Sequence, residues 1–287
     1  MSPTDLTGRR AAVLGHPIAH SLSPALHLAA YDALGLAGWR YDALDVTSEQ
    51  LADFVAGLDG SWAGLSLTMP LKATVLPMLD HIEPLAEVVG AVNTVLVQAG
   101  GARPVLVGAN TDVYGIVTAL RERLPATAGV RRTAAVLGAG ATAASALAAL
   151  AQLGCPTPVV YVRSMARIGS LMRAAHRMGV EPHYRLLDRA GDELVDADLI
   201  VSTLPAHGAD DLAAVVAAGP EVTGVLLDVA YDPRPTALGL AWERAGGAAV
   251  GGERMLLHQA VEQVRLMTGR LAPFEAMERA LLAGLDA

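Results

Sequence analysis

Short apolar runs of strand length alternate along this chain with stretches in which apolar residues recur every three or four positions. RAAVL (Arg10–Leu14) predicts a buried strand, and Leu22–Leu34 has helical spacing. The pattern repeats with a strand over Tyr41–Val46, a helix over Glu49–Gly57 and a third strand over Ala63–Thr68, closed by a turn at Met69–Pro70. Ala91–Val97 and Pro104–Gly108 predict a hairpin with Gly100–Gly101 in its loop. Val113, Ile116, Val117, Leu120 and Leu124 then lie on one helical face, in a helix that begins near Thr111 and ends before Pro125.

A second series opens with a strand at Thr133–Leu137 and a helix over Ser145–Leu153. Further strands are expected at Pro158–Val162, Leu199–Ser202 and Val225–Val229, with helices between them. Gly246–Gly252 predicts a loop leading back to the first region, and a candidate hinge. From Arg254 the tail is helical, with Leu256, Ala260 and Val264 on one face. Strands alternating with helices predict an α/β fold.

Composition narrows the picture. The chain has 287 residues, 53% of them hydrophobic but only 4% aromatic. That apolar mass of Ala, Leu and Val suits helices packed on a buried parallel sheet. The length suits two domains. A net charge of −8 without a basic run argues against nucleic acid as a partner. The single cysteine, Cys155, excludes an internal disulfide framework and suits a reducing cytoplasm. Thr133–Val162 carries no charge, but Gly138, Gly140, Gly154, Pro156 and Pro158 break it into pieces too short to span a membrane. MSPTDLTGRR at the start has no apolar signal core. The single cysteine rules out CxxC spacing, and no metal is expected.

The chemistry begins at AAVLGAGATA (Ala134–Ala143). Gly138, Ala139, Gly140 and Ala141 form GxGxxA between a strand and a helix, the setting a dinucleotide fingerprint requires. The first Gly makes the tight turn, the second admits a pyrophosphate, and the small Ala143 lets helix and strand pack closely. The helix N-terminus offers free N–H groups to phosphate. NAD sites usually carry Asp or Glu at the end of the next strand. Here that strand ends in Arg163-Ser164, with Arg167 one turn on, which suits a 2′-phosphate and favours NADP.

Polar clusters mark the strand ends of the first region. Ser21 and Ser23 precede a helix N-terminus, a place that can hold a carboxylate, although a Ser N-cap before Pro24 accounts for one of them. Lys and Arg together number 21, yet only Lys72 is a lysine. Arg stays protonated at working pH, whereas Lys can give up and regain a proton, so a lone Lys beside Thr68 at a strand end is a candidate for proton transfer. Pro70 suits the first turn of a helix there. Asn93 is an amide in an apolar strand, and must be structural or bind substrate. In Asn110-Thr111-Asp112 an N-cap role accounts for Asn110 or Thr111 and leaves Asp112 to face Lys72 as a proton-transfer pair.

Taken together, these segments resemble the shikimate dehydrogenase family, in its order and over nearly the whole chain. The matching segments are GHPIAHSLSP (Gly15–Pro24), GLSLTMPLK (Gly64–Lys72), VGAVNT (Val89–Thr94), GANTDVYG (Gly108–Gly115), LGAGATA (Leu137–Ala143), LLDVAYDPRPTAL (Leu226–Leu238) and GGERMLLHQAVEQVRLMTG (Gly251–Gly269). The resemblance implies catalytic roles for Lys72 and Asp112 and places Ser21 and Ser23 on the shikimate carboxylate. Thr68, Asn93 and Gln259 would surround the ring hydroxyls. Tyr231 would lie near the substrate and Gly252 near the nicotinamide. Met255 shares a helix face with Gln259 and is either a cofactor contact or core.

The chain departs from the family pattern at four places. Ser66-Leu67-Thr68 stands for Asn-Val-Thr, and His27-Leu28 for His-Asn. Val162-Arg163-Ser164 stands for Asn-Arg-Thr, which removes one polar neighbour of the 2′-phosphate, and Ser202-Thr203-Leu204-Pro205 for Asn-Ala-Thr-Pro.

The resulting expectation is a two-domain α/β enzyme. Residues 1–112 and 253–287 form an N-terminal substrate domain joined by the C-terminal helices. Residues 113–252 form a doubly wound Rossmann domain for NADP, with the active site in the cleft between the two. The implied reaction is reversible reduction of 3-dehydroshikimate to shikimate by NADPH, a step of aromatic amino acid and chorismate biosynthesis. The expected partners are this small molecule and no nucleic acid or membrane, in a cytoplasmic monomer or homodimer. A quinate or aminoshikimate-type dehydrogenase and a catalytically silent NADP-binding sensor are the alternatives. An imine-forming lyase would leave the nucleotide loop unexplained.

Overall fold

RAAVL forms β1 (Arg10–Gly15), and its side chains divide between two buried clusters. Ala11 and Val13 join Tyr31, Trp39 and Tyr41, while Ala12 and Leu14 join Leu51, Leu65 and Leu67. Successive strand residues point to opposite faces, so a run that is apolar throughout belongs in a sheet covered on both sides.

The computed structural model describes residues 8–101, 103–124 and 132–286. The extreme N-terminus and most of the loop expected after Pro125 lie outside the described residues. Two compact units emerge, one made of the chain up to Thr111 together with the chain from Gln259, the other of Asp112–His258.

In the first unit, β1 is followed by α1 (Ser23–Ala33), β2 (Arg40–Asp45), α2 (Leu51–Ala56), β3 (Trp62–Leu67) and the one-turn α3 (Leu71–Thr74). Then come β4 (His81–Ile82), α4 (Pro84–Val89), β5 (Thr94–Gln98) and β6 (Val105–Ala109). The sheet order is β2-β1-β3-β5-β6-β4. β1 pairs in parallel with β2 and β3, whereas β5 is antiparallel to both β3 and β6. The expected hairpin is present, in the register Thr94↔Ala109 to Gln98↔Val105. β4 is only two residues long and carries no periodicity to read.

The second unit opens with α5 (Asp112–Arg121), β7 (Ala134–Leu137), α6 (Ala141–Gln152), β8 (Val159–Val162), α7 (Gly169–Met178) and β9 (His183–Leu186). It continues through α8 (Ala190–Glu193), β10 (Leu199–Ser202), α9 (Asp210–Ala218), β11 (Val225–Asp228), α10 (Ala237–Arg244) and β12 (Ala248–Gly251). α11 (Gly252–Thr268) carries the chain back, and α12 (Phe274–Leu285) packs on α1. All six strands of this sheet are parallel, in the order β12-β11-β10-β7-β8-β9, the doubly wound arrangement expected.

The structure corrects four sequence expectations. Gly246–Gly252 is not a loop, because Ala248–Gly251 pairs residue for residue with Val225–Asp228 as the edge strand β12. The segment was illegible because Ala and Gly carry little strand signal. β9, HYRL, was missed because three of its four residues are polar or aromatic and it too lies at an edge. α6 starts at Ala141, immediately after Gly140, and not at Ser145. α5 stops at Arg121, so Leu124 lies in the turn after it.

The uncharged stretch also finds its reason. α6 is buried at every position from Ala143 to Leu150, and Ala135, Leu137 and Tyr161 belong to a core with Ile200, Leu226 and Trp242. A helix enclosed on all sides admits no charge. Among the described residues no helix is long and apolar enough to cross a membrane.

His27 is part of the first unit's core. Its ring stacks on Tyr41 at 3.9 Å, and its Nδ1 is 2.9 Å from the Ser23 carbonyl. Burial pushes its pKa down to about 4, against the opposing pull of the Ser23 carbonyl. The folded state therefore resists a proton that the unfolded state takes up near 6.5. The associated stability is present above about pH 6.5 and is lost as pH falls toward 4, an effect of about 3 kcal/mol. Denaturant unfolding followed across this window should show the fall, and His27→Gln should flatten it.

Candidate active site

In the first unit the polar clusters converge beyond the C-terminal ends of β1 and β3. A side chain at Gly15 would strike Thr68 Cγ2 at 2.3 Å and the Met69 carbonyl at 2.9 Å. Glycine here lets the loop after β1 lie directly on the turn after β3. The His16 N–H donates to the Met69 carbonyl at 3.0 Å, and the Thr68 N–H to the Leu14 carbonyl at 2.9 Å. The Ser21 and Ser23 loop and the Thr68 and Lys72 turn are thus stitched together.

Ser23 is the first residue of α1, and the cap position is Leu22, so neither serine is the N-cap. Ser21 Oγ accepts from the Ser23 N–H at 3.3 Å. Pro70 stands at the cap position of α3 and not within its first turn. Lys72 is half-buried, and its carbonyl accepts from the Val92 N–H at 2.8 Å, which brings its backbone beside Asn93.

Asn93 precedes β5 and does not lie within it. Its Oδ1 accepts from the Thr111 N–H at 2.7 Å. Its Nδ2 donates to Thr111 Oγ1 at 2.9 Å and to Gln259 Oε1 at 3.3 Å. Asn110 Nδ2 donates to the Ala91 carbonyl at 2.9 Å. Ser21, Ser23, Thr68, Lys72, Asn93 and Gln259 therefore all belong to this one unit. Asp112, almost fully buried, is the next residue after Thr111 and opens α5 of the second unit.

In the second unit the loop after β7 lies where strand order reverses between β7 and β10, the place where doubly wound sheets bind ligands. Gly138 has φ +111, and a Cβ there would strike Thr203 Oγ1 at 2.4 Å. Gly140 is exposed, and a Cβ there would meet nothing within 4 Å. Ala143 is fully buried against the sheet side. A tight turn, an open approach and a close-packed third position fit a pyrophosphate at the N-terminus of α6, with Ala139 and Ala141 flanking it.

Arg163 and Arg167 are exposed and make no ion pair among the described residues, while Ser164 caps the short turn Met165–Arg167. Arg163 lines a cavity with Asp188, His207, Gly208 and Asp211. Its guanidinium lies over Gly208, where a Cβ would come within 3.0 Å of Nη2. A cation at the end of β8, open to solvent, fits a nucleotide 2′-phosphate.

Gly252 opens α11 with no room for a side chain, since a Cβ would strike the Val229 carbonyl at 2.1 Å. Met255 is buried in the same helix. Tyr231 is half-buried beside a cavity it shares with Asp228 and Glu253, and burial raises its pKa, helped by the Asp232 charge. Burial also raises the Asp228 carboxyl, against the opposing pull of the nearby Thr236 and Ser202 hydroxyls. Among the described residues no cluster of His, Cys, Asp and Glu could hold a metal.

Residues 13–95 match the shikimate dehydrogenase substrate binding domain, and residues 252–282 match the shikimate 5′-dehydrogenase C-terminal domain. The chain is 38% identical over 286 residues to the shikimate dehydrogenase (NADP(+)) of Geobacter sp. (strain M21), covering 96% of both chains. The chain belongs to the shikimate dehydrogenase family. Among solved structures, shikimate dehydrogenase from Mycobacterium tuberculosis is 40% identical with a TM-score of 0.83, covering 96% of this chain and 99% of that one. Shikimate 5-dehydrogenase from Thermus thermophilus, in complex with NADP(H) and shikimate, is 33% identical with a TM-score of 0.79, covering 96% and 99%.

The structure shows what the departures from the family pattern do. Ser66, where the family often has Asn, is buried and bonded to Tyr41 and Gln263. Leu28, beside buried His27, is 45% exposed, so the change from Asn falls on the surface. Thr203 packs on Gly138 and donates from Oγ1 to the Leu137 carbonyl at 2.8 Å, closing the nucleotide turn. Sequence reasoning missed Thr111 as a partner of Asn93 and Gln259. It also missed Gln263, although its place one helical turn beyond Gln259 was a legible signal.

Proposed function

We propose that this chain catalyses the reversible NADPH-dependent reduction of 3-dehydroshikimate to shikimate. The observation that carries the reading is the single polar cluster of the first unit, where Lys72 is joined through Val92 to the buried amides of Asn93 and Gln259. An apolar core does not bury two amides and a threonine hydroxyl side by side without a use for their polarity.

The roles follow from donor chemistry. Ser21 and Ser23 present hydroxyls at the start of α1 and hold the substrate carboxylate. Thr68, Asn93 and Gln259 bracket the ring hydroxyls. Gly138, Ala139, Gly140 and Ala141 hold the pyrophosphate of NADP, and Arg163, Ser164 and Arg167 its 2′-phosphate. Gly252 and Met255 flank the nicotinamide, and Tyr231 the substrate. When bound, NADPH supplies the hydride.

The ammonium of Lys72 gives a proton to the ketone oxygen, leaving an alcohol and a neutral amine. In the reverse direction that amine takes the hydroxyl proton. Asp112 holds the ammonium in place, a role supported by its position next to Thr111, which Asn93 grips. As finer points of the same reading, we place the chain in the cytoplasm as a monomer or homodimer. The buried, unpaired Cys155 supports the first, and light scattering decides the second.

The test is reduction of NADP⁺ or NAD⁺ by the purified chain, followed by absorbance, with shikimate and quinate in parallel. Turnover confined to shikimate with NADP⁺ is the expected result. Preference for quinate, or nucleotide binding without turnover, would overturn the reading.

A further inference from the structure

Behind the candidate substrate residues lies a buried chain of polar side chains whose hydrogen-bond direction is set at both ends by the backbone. The Thr111 N–H can only donate, so the atom of Asn93 facing it at 2.7 Å is Oδ1, which leaves Nδ2 for Thr111 Oγ1 and Gln259 Oε1. The Asn93 carbonyl can only accept, so the atom of Gln263 facing it at 3.3 Å is Nε2. Gln263 Oε1 must then face Ser66 Oγ, which donates to it at 2.8 Å. Having spent its proton there, Ser66 accepts from the Tyr41 hydroxyl at 2.6 Å.

From its other end, Gln263 Nε2 donates to Thr94 Oγ1 at 3.0 Å, and Thr94 donates to Asn93 Oδ1 at 3.0 Å. Every one of these side chains is buried, with Gln263 only 1% exposed. The relay runs from Tyr41 to Asn93, which in turn reaches Gln259.

We infer that Gln263, with Ser66 and Tyr41, is a positioning residue for shikimate: it holds Asn93 in the amide orientation whose Nδ2 donates to Thr111 Oγ1 and Gln259 Oε1, and so fixes which end of the Gln259 amide faces Asn93. This inference rests on the proposed reaction. The Thr111 N–H sets Oδ1, and the relay adds Thr94 as a second donor to it, so that a flipped amide would meet two donors with its own NH₂. Gln259, one of the residues proposed to bind the ring hydroxyls, is then held in one orientation, and loosening it weakens the grip on the substrate.

The test compares Gln263→Leu, Gln263→Glu and Tyr41→Phe with the unaltered chain in steady-state kinetics with shikimate and NADP⁺ across pH. Gln263→Leu is expected to raise KM for shikimate about tenfold, with KM for NADP⁺ changed by less than about twofold. Tyr41→Phe keeps the ring stack on His27 and removes only the first donor. It is expected to raise KM for shikimate several-fold, and it stands in if Gln263→Leu does not fold. Gln263→Glu carries the decisive signature. As a neutral acid it can still donate once, to Thr94, and accept from Ser66, but as a carboxylate it cannot donate. Relative to the unaltered chain at each pH, its KM for shikimate should be near normal at low pH and rise as the acid ionises.

A KM shift that is the same at every pH in Gln263→Glu, or shikimate KM values unchanged in all folded variants, would overturn the inference while leaving the reaction intact. An unaltered chain that does not oxidise shikimate would remove the reaction, and the inference with it.

Discussion

Lys72→Met is expected to lower kcat for shikimate oxidation roughly 100- to 10 000-fold, the range that a positioned acid–base group contributes, with the fold and the affinity for NADP⁺ retained. The site explains why the loss falls on kcat. Lys72 sits in a one-turn helix, half-buried, with its backbone joined to Val92. Its removal leaves the Ser23, Asn93 and Gln259 contacts in place. Lys72→Arg separates charge from proton transfer. Arg keeps the cation but cannot deprotonate at working pH, so it should recover binding and little turnover. Circular dichroism and NADP⁺ titration establish that each variant is folded and loaded. Turnover near that of the unaltered chain in both variants would remove Lys72 from the chemistry and favour a binding role for the chain.

Arg163→Ser is expected to raise KM for NADP⁺ about ten- to a hundredfold while leaving KM for NAD⁺ nearly unchanged. A charge-assisted hydrogen bond to a phosphate contributes about 1.5–3 kcal/mol, and each 1.4 kcal/mol is tenfold. Arg163 is exposed, which places the effect toward the lower end of that range. Raising ionic strength should weaken NADP⁺ binding in the unaltered chain more than in the variant. Equal losses for NADP⁺ and NAD⁺ would instead mean that Arg163 contacts a group common to both. Because the family's Asn before this Arg is Val162 here, and Val162 is buried in β8, Arg163 and Ser164 are expected to carry the discrimination with less help. Arg167, on the turn that Ser164 caps, is the remaining cation in reach of that strand end.

The parts of this protein that were legible beforehand depend on local rules. A run apolar at every position reads as a strand buried on both faces, which is how the AAVL runs of β1 and β7 behave. Glycine needs announced themselves in the same way, because the turn after β7 demands a positive φ at Gly138 and an open approach at Gly140. The lone lysine and the two serines stood out by residue type at strand ends. Elements without local contrast were not legible. β12 is made of Ala, Val and Gly and becomes a strand only because β11 offers it an edge.

The sequence by itself therefore determined the α/β class and the family, and it singled out the glycine turn and the polar residues of the candidate site. Each follows from side-chain chemistry at fixed spacing along the chain. Only the tertiary structure decided which of those residues meet. Asn93 touches Thr111 and Gln259, which are 18 and 166 positions away, and Gln263 reaches back to Ser66 across 197. No local periodicity records such contacts. They arise because β3 and β5 are neighbours in one sheet and α11 returns to pack against it, and a buried amide must take its partners from whatever the fold brings within hydrogen-bond reach.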